Sequence, residues 1–522
     1  MKHLCPFTRA SLGSLVLAAT VFCAGVPRAG AEVSQDQLPE MGTAAQATLS
    51  VEDEDRIGRM VMRELRESGA VLEDPETDEY IQSLGLRLSS VAQDGSRNFN
   101  FFVVRDNAIN AFALPGGYVG VHSGLMLETR NESELAGVLA HEVAHVTQRH
   151  IARGLEAQSR ANLLSTAAML AAILAGAVGG ASSNTAMGGI MAAQGMAAQA
   201  QINFTRENEA EADRIGIGTL AAAGFDPNAM PAFFDTMFRR TQLAPDRVPE
   251  LLRTHPVTSS RIAESKDRAL QYPPANVTDS VSYALIKERV RVLSTPRGAD
   301  SRDYYAALAG ANEPDLSLAQ TYGRALAQIQ GGDPAGAIPT LQKLRATYPQ
   351  MMLFHTALGQ AQLAAGETHD ALETLERARE LAPRNVPVTV RYGEALLQAG
   401  RPKRAHEVLL DLFNNVAPTA QQIRLTAKAA NAAGDVADAY SYMAEYHLMS
   451  GDLSLAINQL ELALSVPNIT AQQRSKYVAR LKEIREWLPK RTRGSGGDEQ
   501  PAHPAEPGQP QPSGSGPTPS TG

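Results

Sequence analysis

His141-Glu142-Val143-Ala144-His145 sets two imidazoles four residues apart, with a carboxylate directly after the first. On an α-helix, positions i and i+4 share a face, so both rings can reach one metal ion. Glu142 is then placed to take a proton from a water activated by that ion. The chemistry implied is metal-assisted hydrolysis, with His141 and His145 as ligands, Glu142 as general base and one Zn2+ per chain. A catalytic zinc needs a third protein ligand beside an open position. No cysteine cluster or second HxxxH supplies it, so a carboxylate or a distant histidine must.

Glu207-Asn208-Glu209-Ala210-Glu211-Ala212-Asp213 offers three glutamates on one predicted helix. Glu209 and Asp213 lie four apart and share a face. Glu209 can ligate while Asp213 orients a ligand histidine or stabilises the reacting oxygen. On composition alone, the same stretch reads equally as an acidic, solvated helix. His255 stands in Thr254-His255-Pro256, a loop setting in which a histidine is more often simply exposed. His122 and His150 have no partner by spacing, and surface or packing roles are expected for both.

These residues need rigid elements to hold them. Asn131 followed by Glu134 reads as a helix N-cap with Glu at N3, which makes the HExxH segment helical. Ser50 to about Val91 shows helical spacing through Ile57, Met60, Val61, Leu65 and then Tyr80, Ile81, Leu84, Leu88. Phe99–Val104 and Tyr118–Val121 read as strands, which puts a small sheet just before the HExxH helix. Tyr118, Val119, Gly120 and Val121 are expected to pair with an extended substrate as an added edge strand. Glu207–Ala223 is a helix closed by Gly224, and Asp226-Pro227 opens the next.

The remainder of the chain bounds the setting. At 522 residues, 43% hydrophobic and 20% charged, it is too long for one core. Lys2 and Arg9, the apolar run Leu12–Gly25 and Ala29-Gly30-Ala31 read as a cleavable secretory signal over residues 1–31. Cys5 and Cys23 both fall in it, so the exported chain has no thiol chemistry and no disulfide. Its removal takes three cations and no acid, which moves the net charge from −8 to −11 and argues against nucleic-acid partners. Residues 161–205 carry no charged side chain. A buried hairpin near the active site is the first reading, a membrane-touching or partner-binding hairpin the second and a true span the third.

From about Leu316 the chain is periodic. Gly332, Gly366, Gly400 and Gly434 recur every 34 residues, with Ala337, Ala371, Ala405, Ala439 and Leu341, Leu375, Leu409 in register. That period marks tetratricopeptide repeats, helix pairs that bury their apolar faces only by stacking into a solenoid. Gly451 and Ala456 suggest one further, shifted unit, and after Pro489 the composition becomes that of a disordered tail.

His141-Glu142-x-x-His145 with Glu209-x-x-Ala212-Asp213 resembles the zinc peptidases related to the CAAX prenyl-protein protease and the heat-shock membrane protease. Asn110-Ala111-Phe112-Ala113-Leu114-Pro115-Gly116-Gly117 and Ser123-Gly124-Leu125 match that family's stretch before the zinc helix. The resemblance implies Glu209 as third ligand and Asp213 as supporting acid. It also implies His255, with Arg261 nearby, as a regulatory ligand in the fourth zinc position. The expected architecture is a mostly helical α+β zincin-like metallopeptidase domain followed by an all-α solenoid. Its divisions are a signal (1–31), a flexible segment (32–50), the peptidase (51–275), a helical linker (276–315), the repeats (316–488) and a tail (489–522). With an export signal and repeats, the resemblance implies a periplasmic endopeptidase of a Gram-negative bacterium. It would act on misfolded or stalled proteins, its repeats contacting the outer-membrane protein assembly machinery. The alternative is a repeat-based chaperone or scaffold with a largely silent peptidase domain.

Overall fold

The computed structural model describes residues 50–92, 98–156, 206–243, 248–273, 275, 277–295, 300–310 and 316–487. The expected signal, the two cysteines, the charge-free stretch 161–205 and the tail lie outside these residues. Among the described residues, no helix is long and apolar enough to cross a membrane.

The helical stretch expected from Ser50 is two helices, α1 (Val51–Glu67) and α2 (Pro75–Ser89). Between them the chain turns at Gly69, and Val71 bridges to Val104. The sheet has three strands, β1 (Asn100–Val104), β2 (Ala111–Leu114) and β3 (Tyr118–His122), in the order β1-β3-β2. β1 runs parallel to β3, with Asn100 opposite Tyr118, and β2 runs antiparallel to it, with Ala111 opposite Val121. The strand expected to take up substrate is therefore the middle one. Both edges of Tyr118–Val121 are already paired, so that expectation is corrected. The Val71 bridge blunts β1, leaving β2 with the open edge among the described residues.

A short α3 (Ser123–Glu128) leads into α4 (Glu132–Thr147), which carries the HExxH segment. The Asn131 side chain accepts from the Glu134 amide at 2.8 Å, as an N-cap should. Glu134 turns to the Arg130 amide and guanidinium instead of completing a capping box. Every residue of α4 is buried, so it is a central rod rather than an amphipathic surface helix. After α5 (His150–Glu156), α6 (Arg206–Ala222) packs along α4, and α7 (Ala229–Leu243), α2 and the sheet complete the surround. Then come α8 (Glu250–Thr254) and α9 (Ser259–Ala269).

The segment expected as a linker holds α10 (Val281–Leu293) and α11 (Ser301–Gly310). α10 packs against α2 and α3 on one side and α12 (Leu318–Gln330) on the other, so it is a joint between the two parts. The solenoid continues through α13 (Pro334–Thr347), α14 (Met352–Ala364), α15 (Thr368–Leu381), α16 (Val386–Gln398) and α17 (Pro402–Phe413). It closes with α18 (Ala420–Ala433), α19 (Val436–Met449), α20 (Leu453–Ser465) and α21 (Ala471–Glu486). The four glycines of the 34-residue period each end a helix with φ between 69° and 92°. That left-handed turn favours glycine, which is why the period is visible in sequence. The in-register alanines and leucines are buried between helices.

A buried charge cluster joins the two parts. Arg289 on α10 and Arg391 on α16 both bind Asp74 and Glu76 at the start of α2, with N–O distances of 2.7–2.9 Å. Tyr322 and Gln360 from the solenoid also contact Arg289. Burial alone would raise the Asp74 carboxyl, but the two guanidiniums outweigh it and hold it far below the usual carboxylate range.

Candidate metal centre

Four buried side chains from three elements converge. His141 and His145 come from α4, Glu209 from α6 and His255 from the end of α8, and one ligand atom of each lies within 4.8 Å of the others. The two α4 imidazoles approach at Nε2–Nε2 3.0 Å, as their i, i+4 spacing dictates. Glu209 oxygens lie 3.5 Å from both Nε2 atoms. His255 Nδ1 stands 2.9 Å from Glu209 and 3.4 Å from His141 Nε2.

Helix α6 reaches this point because Gly216 lets it lie against α4. A Cβ there would meet the backbone of His141 and Ala140 at 3.2–3.3 Å. Asp213, four residues after Glu209, puts Oδ1 3.0 Å from His141 Nδ1. Glu207, by contrast, is exposed at the start of α6.

Arg261 on α9 braces the acidic pair. It donates to Asp213 with two nitrogens, and its third lies 2.6 Å from Glu209. It also donates to the Pro256 carbonyl, next to His255. Burial works against charge throughout, yet opposite charges prevail: the Glu209 and Asp213 carboxyls are held below their usual range. The same two carboxylates overcome burial of His141 and push its imidazole up to about 9. Burial and the neighbouring His141 charge push His145 well below its ordinary value. The site thus favours cationic charge where the four ligand atoms meet.

Glu142 is fully buried, and neither of its oxygens has a hydrogen-bond partner among the described residues. His255 Nε2 is 3.6 Å away, too far for a hydrogen bond. A buried carboxylate without a partner is costly and needs a reason. A solvent molecule or substrate held beside a metal supplies one. Two imidazoles and a carboxylate form a donor set suited to a divalent catalytic metal, so the residues fit such an ion.

The structure brings together His141, Glu142, His145, Glu209, Asp213 and His255. Two contributors went unassigned in the sequence. Arg261 is far from its carboxylates in the chain, and only the Glu209/Asp213 helix hinted at a need for a counter-charge. His150, expected to serve surface or packing, lies with Nδ1 2.8 Å from His145 Nδ1. His122 is buried, with both ring nitrogens lacking a hydrogen-bond partner among the described residues and Asp106 3.8 Å away, outside the cluster.

Comparison with known proteins agrees with this geometry. Residues 75–269 match peptidase family M48, and residues 362–429 match the tetratricopeptide repeat. A relative from Vibrio cholerae is 42% identical over 327 residues, which is 62% of this chain and 66% of that protein. The β-barrel assembly-enhancing protease of Escherichia coli K12 is 40% identical over 60% of this chain and 64% of its own. That of Yersinia pestis is 38% identical over 66% of this chain and 70% of its own. The matches thus span just under two thirds of the Vibrio and Escherichia proteins.

Proposed function

We propose that this chain, which belongs to peptidase family M48 alongside the β-barrel assembly-enhancing proteases, is a zinc endopeptidase acting on misfolded or stalled outer-membrane proteins. The observation that carries the reading is Glu142, a buried carboxylate with no hydrogen-bond partner among the described residues, beside His141, His145 and Glu209.

In this reading those three residues hold the zinc. The chemistry such an ion supplies is Lewis-acid polarisation of the scissile carbonyl and activation of water near neutral pH. Glu142 accepts the water's proton and later gives it to the leaving amine nitrogen. Asp213 holds His141 through Nδ1, and Arg261 keeps Asp213 and Glu209 ionised and in place. Substrate lies along the open edge of β2, Ala111–Leu114, where main-chain hydrogen bonds read an extended segment with little regard for its side chains.

His255 takes the fourth position at rest and leaves it when substrate binds. Its place within hydrogen-bond distance of Glu209 supports that reading, as well as the coexistence of holding and cutting in one molecule. The export signal and the relatives support a periplasmic setting, and the solenoid offers a surface for the assembly machinery. The peptidase is taken as residues 51–275 and the solenoid as 316–488, with α10 and α11 as the joint.

The test is cleavage of an unfolded outer-membrane protein by zinc-quantified wild type, Glu142→Gln and His255→Ala. The reading expects cleavage by wild type, its loss in Glu142→Gln with zinc retained, and faster cleavage by His255→Ala. Zinc binding by all three without cleavage would favour the scaffold alternative.

A further inference from the structure

Helix α4 stops at Thr147, and His150 follows three residues later at the start of α5. Were the helix continuous, residues five apart would project about 140° from one another and their rings would not meet. Instead the chain turns at Arg149, a non-glycine residue with φ 53°. Such a conformation is strained for a side chain larger than glycine and persists only where its surroundings enforce it. The enforcement is visible: Arg149 donates with Nε and Nη2 to Glu54 of α1, at 2.9 and 2.6 Å.

The turn folds His150 back onto His145. The rings meet edge to face with centroids 4.8 Å apart and an Nδ1–Nδ1 distance of 2.8 Å. Beyond it, His150 Nε2 lies 3.1 Å from Glu211 Oε2, an oxygen that Arg153 also binds at 2.8 Å. Glu211 is the third glutamate of the acidic stretch and, like Glu207, is not among the ligands.

Only one proton arrangement lets His145 serve the metal. Its Nε2 faces the cluster and must keep a lone pair, so its hydrogen sits on Nδ1. His145 Nδ1–H then donates to His150 Nδ1, which obliges His150 to carry its hydrogen on Nε2 and donate to Glu211. We propose that His150 is a positioning residue: with Glu211 behind it, it fixes the tautomer and orientation of the His145 ring and so sets how tightly the site holds its metal. The two α4 ligands are then supported differently, His141 by the carboxylate of Asp213 and His145 by a neutral ring. A neutral acceptor adds no negative charge to a pocket that already contains Glu142 and Glu209.

This inference rests on the zinc reading above, and zinc affinity of the full chain separates the two. Zinc would be titrated in competition with a chromophoric chelator into wild type, His150→Leu, His150→Asn and Glu211→Leu. Leucine and asparagine have the same shape, but only asparagine places an acceptor oxygen where His150 Nδ1 stands. The expected result is a 10–100-fold loss of affinity in His150→Leu and recovery of most of it in His150→Asn. Equal thermal unfolding of the two metal-free variants would show that the difference is not one of folding. Equal affinity in the leucine and asparagine variants, whether weak or like wild type, overturns the proposal. Wild type that fails to bind zinc overturns the site reading itself. If neither His150 variant folds, Glu211→Leu decides: its partly exposed side chain tolerates the change, the acceptor for His150 Nε2–H is gone, and unaltered affinity there refutes the relay.

Discussion

Replacing Gly216 by alanine adds a methyl group where α6 crosses α4 at His141. The new Cβ would lie 3.2 Å from the His141 Cα and nitrogen and 3.3 Å from the Ala140 carbonyl carbon, tighter than nine in ten real Cβ contacts. These are backbone atoms of a buried helix, so no rotamer change relieves them, and α6 must move off α4 by a few tenths of an ångström. Asp213 and Glu209 sit one and two turns earlier on α6 and move with it. Metal–ligand distances tolerate only about 0.2 Å, so the third ligand and the Asp213 support both leave their positions. Overpacking costs about 1–3 kcal/mol, while exchanging a helical glycine for alanine returns about 1 kcal/mol. Global stability therefore falls by no more than about 2 kcal/mol, whereas zinc affinity falls on the order of 10–100-fold and turnover falls with it. Gly218→Ala is the control, because its Cβ meets only the tip of the Tyr272 side chain. The assay is zinc titration, substrate turnover and thermal unfolding of the metal-free chains. A Gly216→Ala protein that binds zinc and cleaves as well as wild type would refute the claim that this crossing sets the ligand geometry.

Three further outcomes are expected. Arg391→Met leaves Asp74 and Glu76 buried with one guanidinium in place of two, and removing one partner of such a cluster costs about 3–5 kcal/mol; an unchanged urea midpoint would count against it. Burial holds the His122 imidazole down at about 4 against an ordinary 6.5. The fold prefers the neutral ring, so this contribution is complete above pH 6.5 and is lost as pH falls through 4, by about 3 kcal/mol in all. In His122→Phe that part of the acid slope should disappear, and superimposable pH–stability curves for the two proteins would contradict the assignment. Asn131→Ala removes the cap of α4 and should lower stability by about 1 kcal/mol, read from thermal unfolding of zinc-free protein.

What could be read from the sequence was local. The HExxH face, the Asn131 cap and the Glu209–Asp213 spacing each depend on one helix, and the helix repeat fixes what meets what. The 34-residue period showed for the same reason, since each glycine answers a turn inside its own hairpin. What escaped depends on distant partners. β2 is four residues between Asn110 and Pro115 and reads as part of a loop, yet it takes an edge of the sheet and leaves Tyr118–Val121 in the middle. Arg261 is 48 residues from the aspartate it clamps. His150 met its partner through a left-handed turn at an arginine, which no periodicity announces.

The charge cluster at the start of α2 bears on how such a chain can be recombined. Asp74 caps its own helix through Thr77 and binds arginines from two other helices, one of them far along the solenoid. A peptidase half transplanted without those arginines would carry bare buried carboxylates, and a solenoid moved alone would carry arginines with nothing to neutralise them. Exchange of either half between relatives should therefore yield folded hybrids only when both sides of this cluster travel together, so the repeats are an inherited portion of the peptidase domain's own interior rather than an interchangeable appendage.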